Sequence, residues 1–420
     1  MTMRVLKIHI KKSHLDYREA IRQMKISKQF CNRLNFLARQ TYFHYCGRKY
    51  ILTGNKTLDD WITRDNYNGS MVGFEPLRKT LTQNTRINSK VAQGISRNLA
   101  NSWQSYFKLK KNGLMAKIPK YKKTKYNLVP YNIQAISKRA LHNGIVKPAG
   151  FKKGLMLPKW CNPDSVQACS LVCKNGKIWL CVVYNESLHK RTEHGNVLAA
   201  IDFGVDDLVA MAYSDQSSPI VVTDKRIKSR NQNWNKIVVK LKTRQKYYSS
   251  NRLDAITSKR NLRIEQTINR IGNIIVQNLV KHNVGKLILG KNIGWKQNIN
   301  IGKKNNQNFV QIPFAKLAYN IEYKAKSAGI TVVYQEESYT SKASFISQDP
   351  IPVYEENNNK TKHVFSGRRR QRGEYVDGNT IIHADINAAF NIMRKNQQND
   401  AIKIWGGKTN IQPLGISLYA

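Results

Sequence analysis

No cysteine lies beyond position 181, and acids are scarce, with 26 Asp and Glu against 71 Lys and Arg in 420 residues. The six cysteines, Cys31, Cys46, Cys161, Cys169, Cys173 and Cys181, lack the paired spacing of a zinc knuckle, so no zinc is expected. In a chain expected to be cytosolic they read as buried small side chains, which excludes a disulfide framework. The shortage of acid leaves a formal charge of +45. Such a chain repels itself unless a polyanion covers it, so nucleic acid is the expected partner. A membrane-surface protein would concentrate its basic residues in one amphipathic helix or juxtamembrane cluster, but here they are spread along the whole chain. No apolar run approaches the roughly 18 residues of a transmembrane helix, and MTMRVLKIHIKKS has no signal-peptide core. No membrane is therefore expected, and the location should be cytoplasmic, in a prokaryote and associated with nucleic acid. No arrangement of His, Ser or Cys suggests a nucleophilic triad, and no GxxxxGK suggests an NTPase.

What is present centres on HADINAAFNIMRK, His383 to Lys395. Ile386, Phe390 and Met393 recur at helical spacing, and Ala388 and Ala389 thin that face so that it can lie close on a sheet. Asp385 then stands at a helix N-terminus, where the dipole and free NH groups favour an ionised carboxylate, as a metal ligand requires; a plain N-cap would look the same. Upstream, Val197 to Ile201 is a continuous apolar run, hence a buried strand, ending in Asp202-Phe203-Gly204. Further strands are expected at Leu208 to Tyr213, Pro219 to Val222, Lys286 to Leu289 and Ile330 to Tyr334. Helices are expected at about 232 to 249, 258 to 282 and 307 to 328. Asp206, Asp207 and Asp215 are placed in solvated turns, and His383 reads as structural.

The first half differs. A strand at Met3 to Ile10 precedes a helix over Asp16 to Tyr42, and Ile87, Val91, Ile95, Leu99 and Trp103 mark a second helix that packs by this stripe. Residues 108 to 125 hold eight lysines and no acid, interleaved with Tyr121. Lys117, Lys120, Lys122 and Lys123 there are candidates for tracking a phosphate backbone. Residues 126 to 190 read as short strands with turns at Asn143-Gly144 and Asn175-Gly176.

Asp202-Phe203-Gly204, HADINAAFNIMRK, SYTSKASF (Ser338 to Phe345) and NQNFVQIPF (Asn306 to Phe314) together resemble TnpB, the transposon-encoded RNA-guided nuclease related to compact type V CRISPR effectors. The resemblance runs from about residue 3 to residue 395 and is most specific from residue 199 onward. It implies an α/β RNase H-like (RuvC) nuclease domain with an N-terminal β-barrel wedge domain carrying a helical recognition insertion. The implied boundaries are 1–13 and 116–196 for the wedge, 14–115 for the insertion, 197–337 and 376–397 for the nuclease, 338–375 for a target-nucleic-acid-binding insertion, and 398–420 for a tail. Asp202 and Asp385 fall on the first and third acidic positions of the family, which implies two Mg2+ ions, a guide RNA and double-stranded target DNA. The sequence leaves the oligomeric state open.

Two departures bear on this. The fourth strand, which ends in glutamate in most relatives, here ends at Gly290 within KLILGKN, and residues 341 to 384 lack the usual cysteine pairs. That interval instead carries Arg368, Arg369, Arg370 and Arg372, which can grip phosphate without metal. The fifth strand ends in Gln335-Glu336-Glu337. A carboxylate there can reach the place of the missing one, because neighbouring strands lie about 4.8 Å apart. Glu337 is expected to be that ligand, with Glu336 as the fallback. The reading is thus an RNA-guided DNA endonuclease. A nuclease-inactive RNA-guided repressor on the same scaffold is the alternative, and a DNA transposase a weaker one.

Overall fold

A computed structural model describes residues 2–63, 78, 81–82, 85, 87–174, 176–186, 195–243, 251–291, 311–353, 363–371, 373–397 and 410–418. The chain forms two compact units, Met1–Leu188 and His189–Ala420.

In the first unit, strand β1 (Thr2–Ile10) is followed by helices α1 (Tyr17–Tyr45), α2 (Lys56–Ile62) and α3 (Ser89–Lys111). Val91, Ile95, Leu99 and Trp103 of α3 are all buried, as their spacing predicts. The indole of Trp103 donates to Asn35 Oδ1 of α1 at 3.1 Å, so the polar edge of the largest core ring is satisfied. Strand β2 (Val129–Asn132), helix α4 (Lys138–His142) and the hairpin β3 (Ile145–Val146) and β4 (Leu155–Met156) follow. Strands β5 (Val166–Lys174) and β6 (Lys177–Glu186) then complete an antiparallel sheet in the order β1-β6-β5-β2. Among the described residues this sheet is open, with β1 and β2 at its edges. Asn143-Gly144 is not a turn between strands. Asn143 caps α4 and Gly144 follows at φ +70°, so the pair stops a helix that the short sequence window hid. Asn175 lies outside the described residues.

The second unit is built on a six-stranded sheet. Strands β7 (Val197–Asp202), β8 (Asp207–Tyr213) and β9 (Ile220–Thr223) run as consecutive antiparallel neighbours. Helices α5 (Lys225–Thr243) and α6 (Asn251–Lys281) lead to β10 (Val284–Gly290), which lies parallel to β7. Helix α7 (Phe314–Ser327) leads to β11 (Thr331–Gln335), parallel to β10. Of the expected helix over 307–328, α7 supplies 314–327; Gln311 is also helical, Ile312 and Pro313 interrupt it, and 307–310 lie outside the described residues. The exposed arginine strand β12 (Arg368–Gln371), β13 (Glu374–Asp377) and β14 (Thr380–His383) form a second sheet, and α8 (Ala384–Gln397) follows directly. Short β15 (Asn410–Ile411) joins β14, and β16 (Leu414–Ser417) joins β9. Residues read as a tail thus supply an edge strand of the main sheet, in the order β11-β10-β7-β8-β9-β16. Three antiparallel strands followed by parallel additions is the RNase H-like order expected from the sequence.

The two faces of this sheet are separate cores. Ala199, Ile201, Leu287 and Leu289 face α6 and α7, whereas Ala200, Ala210, Ala212 and Ile288 face α8. Alternation along a strand therefore puts Asp202 and Gly290 on the α8 face. Small side chains on that face let α8 lie close, as Ala388 and Ala389 predict.

Candidate active site

Asp202 ends β7, and Asp385 is the second residue of α8, so it lies in the first turn without being the N-cap. Gly204 lets the two approach. A Cβ built at Gly204 would stand 2.5 Å from the Asp207 carbonyl oxygen and 3.2 Å from Asp385 Oδ2. The glycine is required there for space, since its φ is not positive.

Glu337 follows β11. A Cβ at Gly290 would lie 2.5 Å from Glu337 Oε2, 2.7 Å from Ile392 Cδ1 and 3.2 Å from the Ile201 carbonyl oxygen. The glutamate carboxyl thus fills the space above Gly290, beside the end of β7. Glu336 turns the other way. Its carboxylate takes a charged contact from Lys395 Nζ and a 2.6 Å hydrogen bond from Ser338 N, and Lys395 also donates to the carbonyls of Ser338 and Pro352, both at 3.1 Å.

The electrostatics separate the two glutamates. Burial alone would raise Glu336, but the donors from Lys395 and Ser338 outweigh it and hold that carboxyl below its ordinary range. Burial, with Glu336 nearby, pushes Glu337 up to about 7. Burial followed by the charges of Glu337 and Asp385 raises Asp202 well above the carboxylate range. Asp385 is also raised, mainly by burial and against the opposing pull of Arg369. Burial thus acts against the ionised form that the helix N-terminus was expected to favour at Asp385. Arg369 Nη2 donates to Asp385 Oδ1 at 3.1 Å.

The expectation of solvated turns for Asp206 and Asp207 is corrected for Asp207. Both line the same hollow as Asp202 and Asp385, along with Asp224, Lys228, Arg369 and His383; Asp206 does lie in the bend before β8 with its side chain 38% exposed, whereas Asp207 opens β8 with its side chain 18% exposed. Asp206 pairs with Lys228, and His383 Nε2 stands 3.4 Å from Asp207 Oδ2. Asp215 is exposed, as expected. Among the described residues no three His, Cys, Asp or Glu side chains converge tightly enough to hold a metal ion as they stand. The acids lie within one another's field, and the excess negative charge that raises Asp202 suits a divalent cation.

Sequence reasoning missed the clamp behind this arrangement. Asn387 and Asn391, both 0% exposed, bind the SYTSKASF backbone from α8. Asn387 donates to the Ala343 carbonyl at 2.9 Å and accepts from Phe345 N at 2.9 Å, and Asn391 donates to the carbonyls of Thr340 and Ala343 at 2.9 and 2.7 Å. The signal was present, since two amides four residues apart on an apolar helix face must find buried partners.

Of the arginines, Arg368, Arg369 and Arg370 are exposed on β12, Arg370 pairing with Glu374, and Arg372 lies outside the described residues. In the first unit, Lys117, Lys120, Lys122 and Lys123 are exposed on an extended segment pinned to α1 through its backbone. Asn32 brackets Lys122 by accepting from its N at 2.7 Å and donating to its carbonyl at 3.2 Å, and Asn35 donates to the Pro119 carbonyl at 3.1 Å. No helix among the described residues is long and apolar enough to cross a membrane.

Residues 179–296 match the family model described as a probable transposase, OrfB_IS605, and residues 314–392 match the Cas12f1-like TNB domain. No curated protein matches the sequence. Among solved structures, a Cas12f1 in complex with sgRNA and target DNA is similar at 16% identity and TM-score 0.50, over 90% of this chain and 82% of that one. A CRISPR-Cas12f ternary complex aligns at 17% identity and TM-score 0.34, over 89% and 81% of the two chains. C2c1 of Alicyclobacillus acidoterrestris with single-guide RNA aligns at 10% and 0.27, over 92% and 33%. The last two scores carry no argument, while the first shows a shared fold. The two family matches fall on the segments that hold Asp202, SYTSKASF and the first ten residues of HADINAAFNIMRK, and they bear out the resemblance read from the sequence: over these segments the chain is similar to the TnpB-like transposases and to the Cas12f1 effectors.

Proposed function

We propose that this protein is an RNA-guided DNA endonuclease of a mobile element, cutting double-stranded DNA beside a short flanking motif. The observation that supports the reading is the carboxyl of Glu337 in the space above Gly290, beside the end of the strand that carries Asp202, whose own carboxyl feels the charges of Glu337 and Asp385. Three acids at that edge are the donor set for two Mg2+ ions, which supply an activated water and stabilise the leaving oxygen when bound. Asp202, Glu337 and Asp385 hold them in this reading, and Arg369 must release Asp385 as substrate or cation enters. Glu336 serves to fix the turn through Lys395 and is not a ligand. Relatives solved with single-guide RNA and target DNA, and the +45 charge, support guide RNA and DNA as the partners.

In the same reading, 1–13 and 116–196 form the wedge body with 14–115 as its recognition insertion. Residues 197–337 and 376–397 form the nuclease, 338–375 bind target nucleic acid without zinc, and 398–420 close the chain. The exposed lysines from Lys117 to Lys123 follow a phosphate backbone.

The test is to co-express the protein with the DNA downstream of its gene, sequence the copurified nucleic acid, and supply a target flanked by randomised sequence. A defined RNA and magnesium-dependent cleavage beside one enriched motif are expected. A random RNA population would sink the guide. Target binding without cutting would move the protein to the repressor class.

A further inference from the structure

Three rings gather two residues past Glu337. Tyr339 and His363 stand edge to face at 5.1 Å, and Phe365 lies 6.3 Å from Tyr339 and 6.5 Å from His363. His363 is exposed and the other two are half-buried, so the cluster opens to solvent. Val364 between them is 91% exposed.

Tyr339 is held at φ +63°, a left-handed conformation that bulky side chains seldom adopt. A turn alone would select glycine or asparagine at such a site. The surroundings enforce it. Thr340 Oγ1 donates to the Glu337 carbonyl at 2.8 Å, Lys342 N and Ala343 N donate to the Tyr339 carbonyl at 2.9 and 3.0 Å, and Asn391 fixes Thr340 from α8. The second strip is fastened to the same frame. Ser366 donates to Asp349 from both N and Oγ, at 3.0 and 2.6 Å, and Tyr375 donates to the Lys342 carbonyl at 2.8 Å. Two separate stretches of chain are thus locked so that their rings meet, and strain of this kind collects where a side chain must be presented.

The charge along the two ring-bearing strips themselves is cationic, while Glu336 and Glu337 precede Tyr339 on the side of the sheet end. Lys342 Nζ lies 5.8 Å from the Tyr339 ring centre, and Arg368, Arg369 and Arg370 follow Phe365 by three to five residues. Among the described residues of 338–353 and 363–371 the one carboxylate is Asp349, which is buried and turned toward Ser344 and Ser366. Open rings flanked by Lys342 and the β12 arginines fit a single strand, whose bases stack while its phosphates meet the cations; a duplex hides its base faces.

We propose that Tyr339, His363 and Phe365 form a stacking platform for unpaired bases of a DNA strand, beside the acidic end of the sheet. This deepens the nuclease reading by naming the form of DNA that reaches the hollow, but its test needs no cleavage.

The probe is a short fluorescent thymidine strand, compared with an abasic strand of the same length and charge, on the full-length protein carrying its copurified RNA. Each stacked base is worth about 1–3 kcal/mol, so the thymidine strand should bind roughly tenfold tighter or more. The double variant Tyr339→Ala with Phe365→Ala should erase that preference, while Tyr339→Phe keeps it. A 5-iodouracil strand photocrosslinked to the unaltered protein should label peptides holding Tyr339, His363 or Phe365, which decides the matter even where a variant fails to fold. Equal affinity for the two strands, a preference that survives in a folded double variant, or labels that miss these peptides overturns the platform. Crosslinks formed there only by the copurified RNA would assign the rings to the guide and equally overturn it. A protein that never cuts but passes this test loses the nuclease reading alone.

Discussion

Two groups of buried acid share the second unit and behave in opposite ways. Asp349 accepts from Ser344 N at 2.7 Å and from Ser366 N and Oγ, while Arg394 caps the Asp349 carbonyl at 3.1 Å. Burial alone would raise that carboxyl, but these donors hold it below its ordinary range. Asp377 is served likewise by the hydroxyls of Ser344 and Ser347, both at 2.5 Å. At the end of the sheet, Asp202, Glu337 and Asp385 are all raised, in each case first by burial. Burial is common to both groups. The difference lies in the balance: the donors around Asp349 outweigh its burial, whereas at the sheet end burial and neighbouring acids outweigh the donors, Arg369 on Asp385 included. The first arrangement stiffens the insertion, and the second invites a cation.

The sharpest way to break the contrast is at the sheet end. Asp202→Ala, Glu337→Gln and Asp385→Ala should each lower magnesium-dependent cleavage by about a thousandfold or more, with RNA and DNA binding retained. Full cleavage by Glu337→Gln would end the relocated-glutamate idea. In the insertion the same kind of change should act on stability. Asp349→Ala strands several buried donors and should destabilise the unit by roughly 2–3 kcal/mol, read as a lower thermal midpoint. An unchanged midpoint would mean that the network does little.

The pH dependence sharpens it further. Glu337 has an ordinary value of 4.5 and stands at about 7 when folded, so the folded state binds its proton more tightly. Its contribution is favourable below the unfolded value and is lost as pH rises from about 4.5 through about 7. Metal-free protein should therefore melt several degrees lower at pH 7.5 than at pH 5.5, and both Glu337→Gln and saturating Mg2+ should shrink the gap. A midpoint that rises over this window would contradict the assignment. The smallest expected effect lies on β12. Changing Arg368, Arg369, Arg370 and Arg372 together to alanine should weaken DNA binding across all sequences and flatten its salt dependence, measured as the slope of affinity against salt.

Much of this was legible because its signals are local. Alternation and apolar runs located β7, β8, β9, β10 and β11, and period-two logic put one glutamate of the pair toward Gly290 and the other away. Partners distant in sequence were not legible. Nothing near Asn387 says that it will hold Phe345, nothing near Lys395 points to Glu336, and nothing near Arg369 points to Asp385. Asn143-Gly144 misled because the same dipeptide ends helices and turns hairpins. Leu414–Ser417 escaped because a short parallel edge strand carries little pattern of its own.

The contact between Glu337 and Gly290 also restricts the order in which the protein could have changed. A methyl group at 290 would already meet the carboxyl of Glu337 at 2.5 Å, so a side chain at 290 would turn that carboxyl out of the space it now fills. A lineage that returned a glutamate to 290 would therefore displace the Glu337 carboxyl in the same step that brought in the new acid. If Glu337 is the ligand proposed above, the glycine acts as a ratchet: a step back at 290 disturbs the acid in use before the new one can take its place.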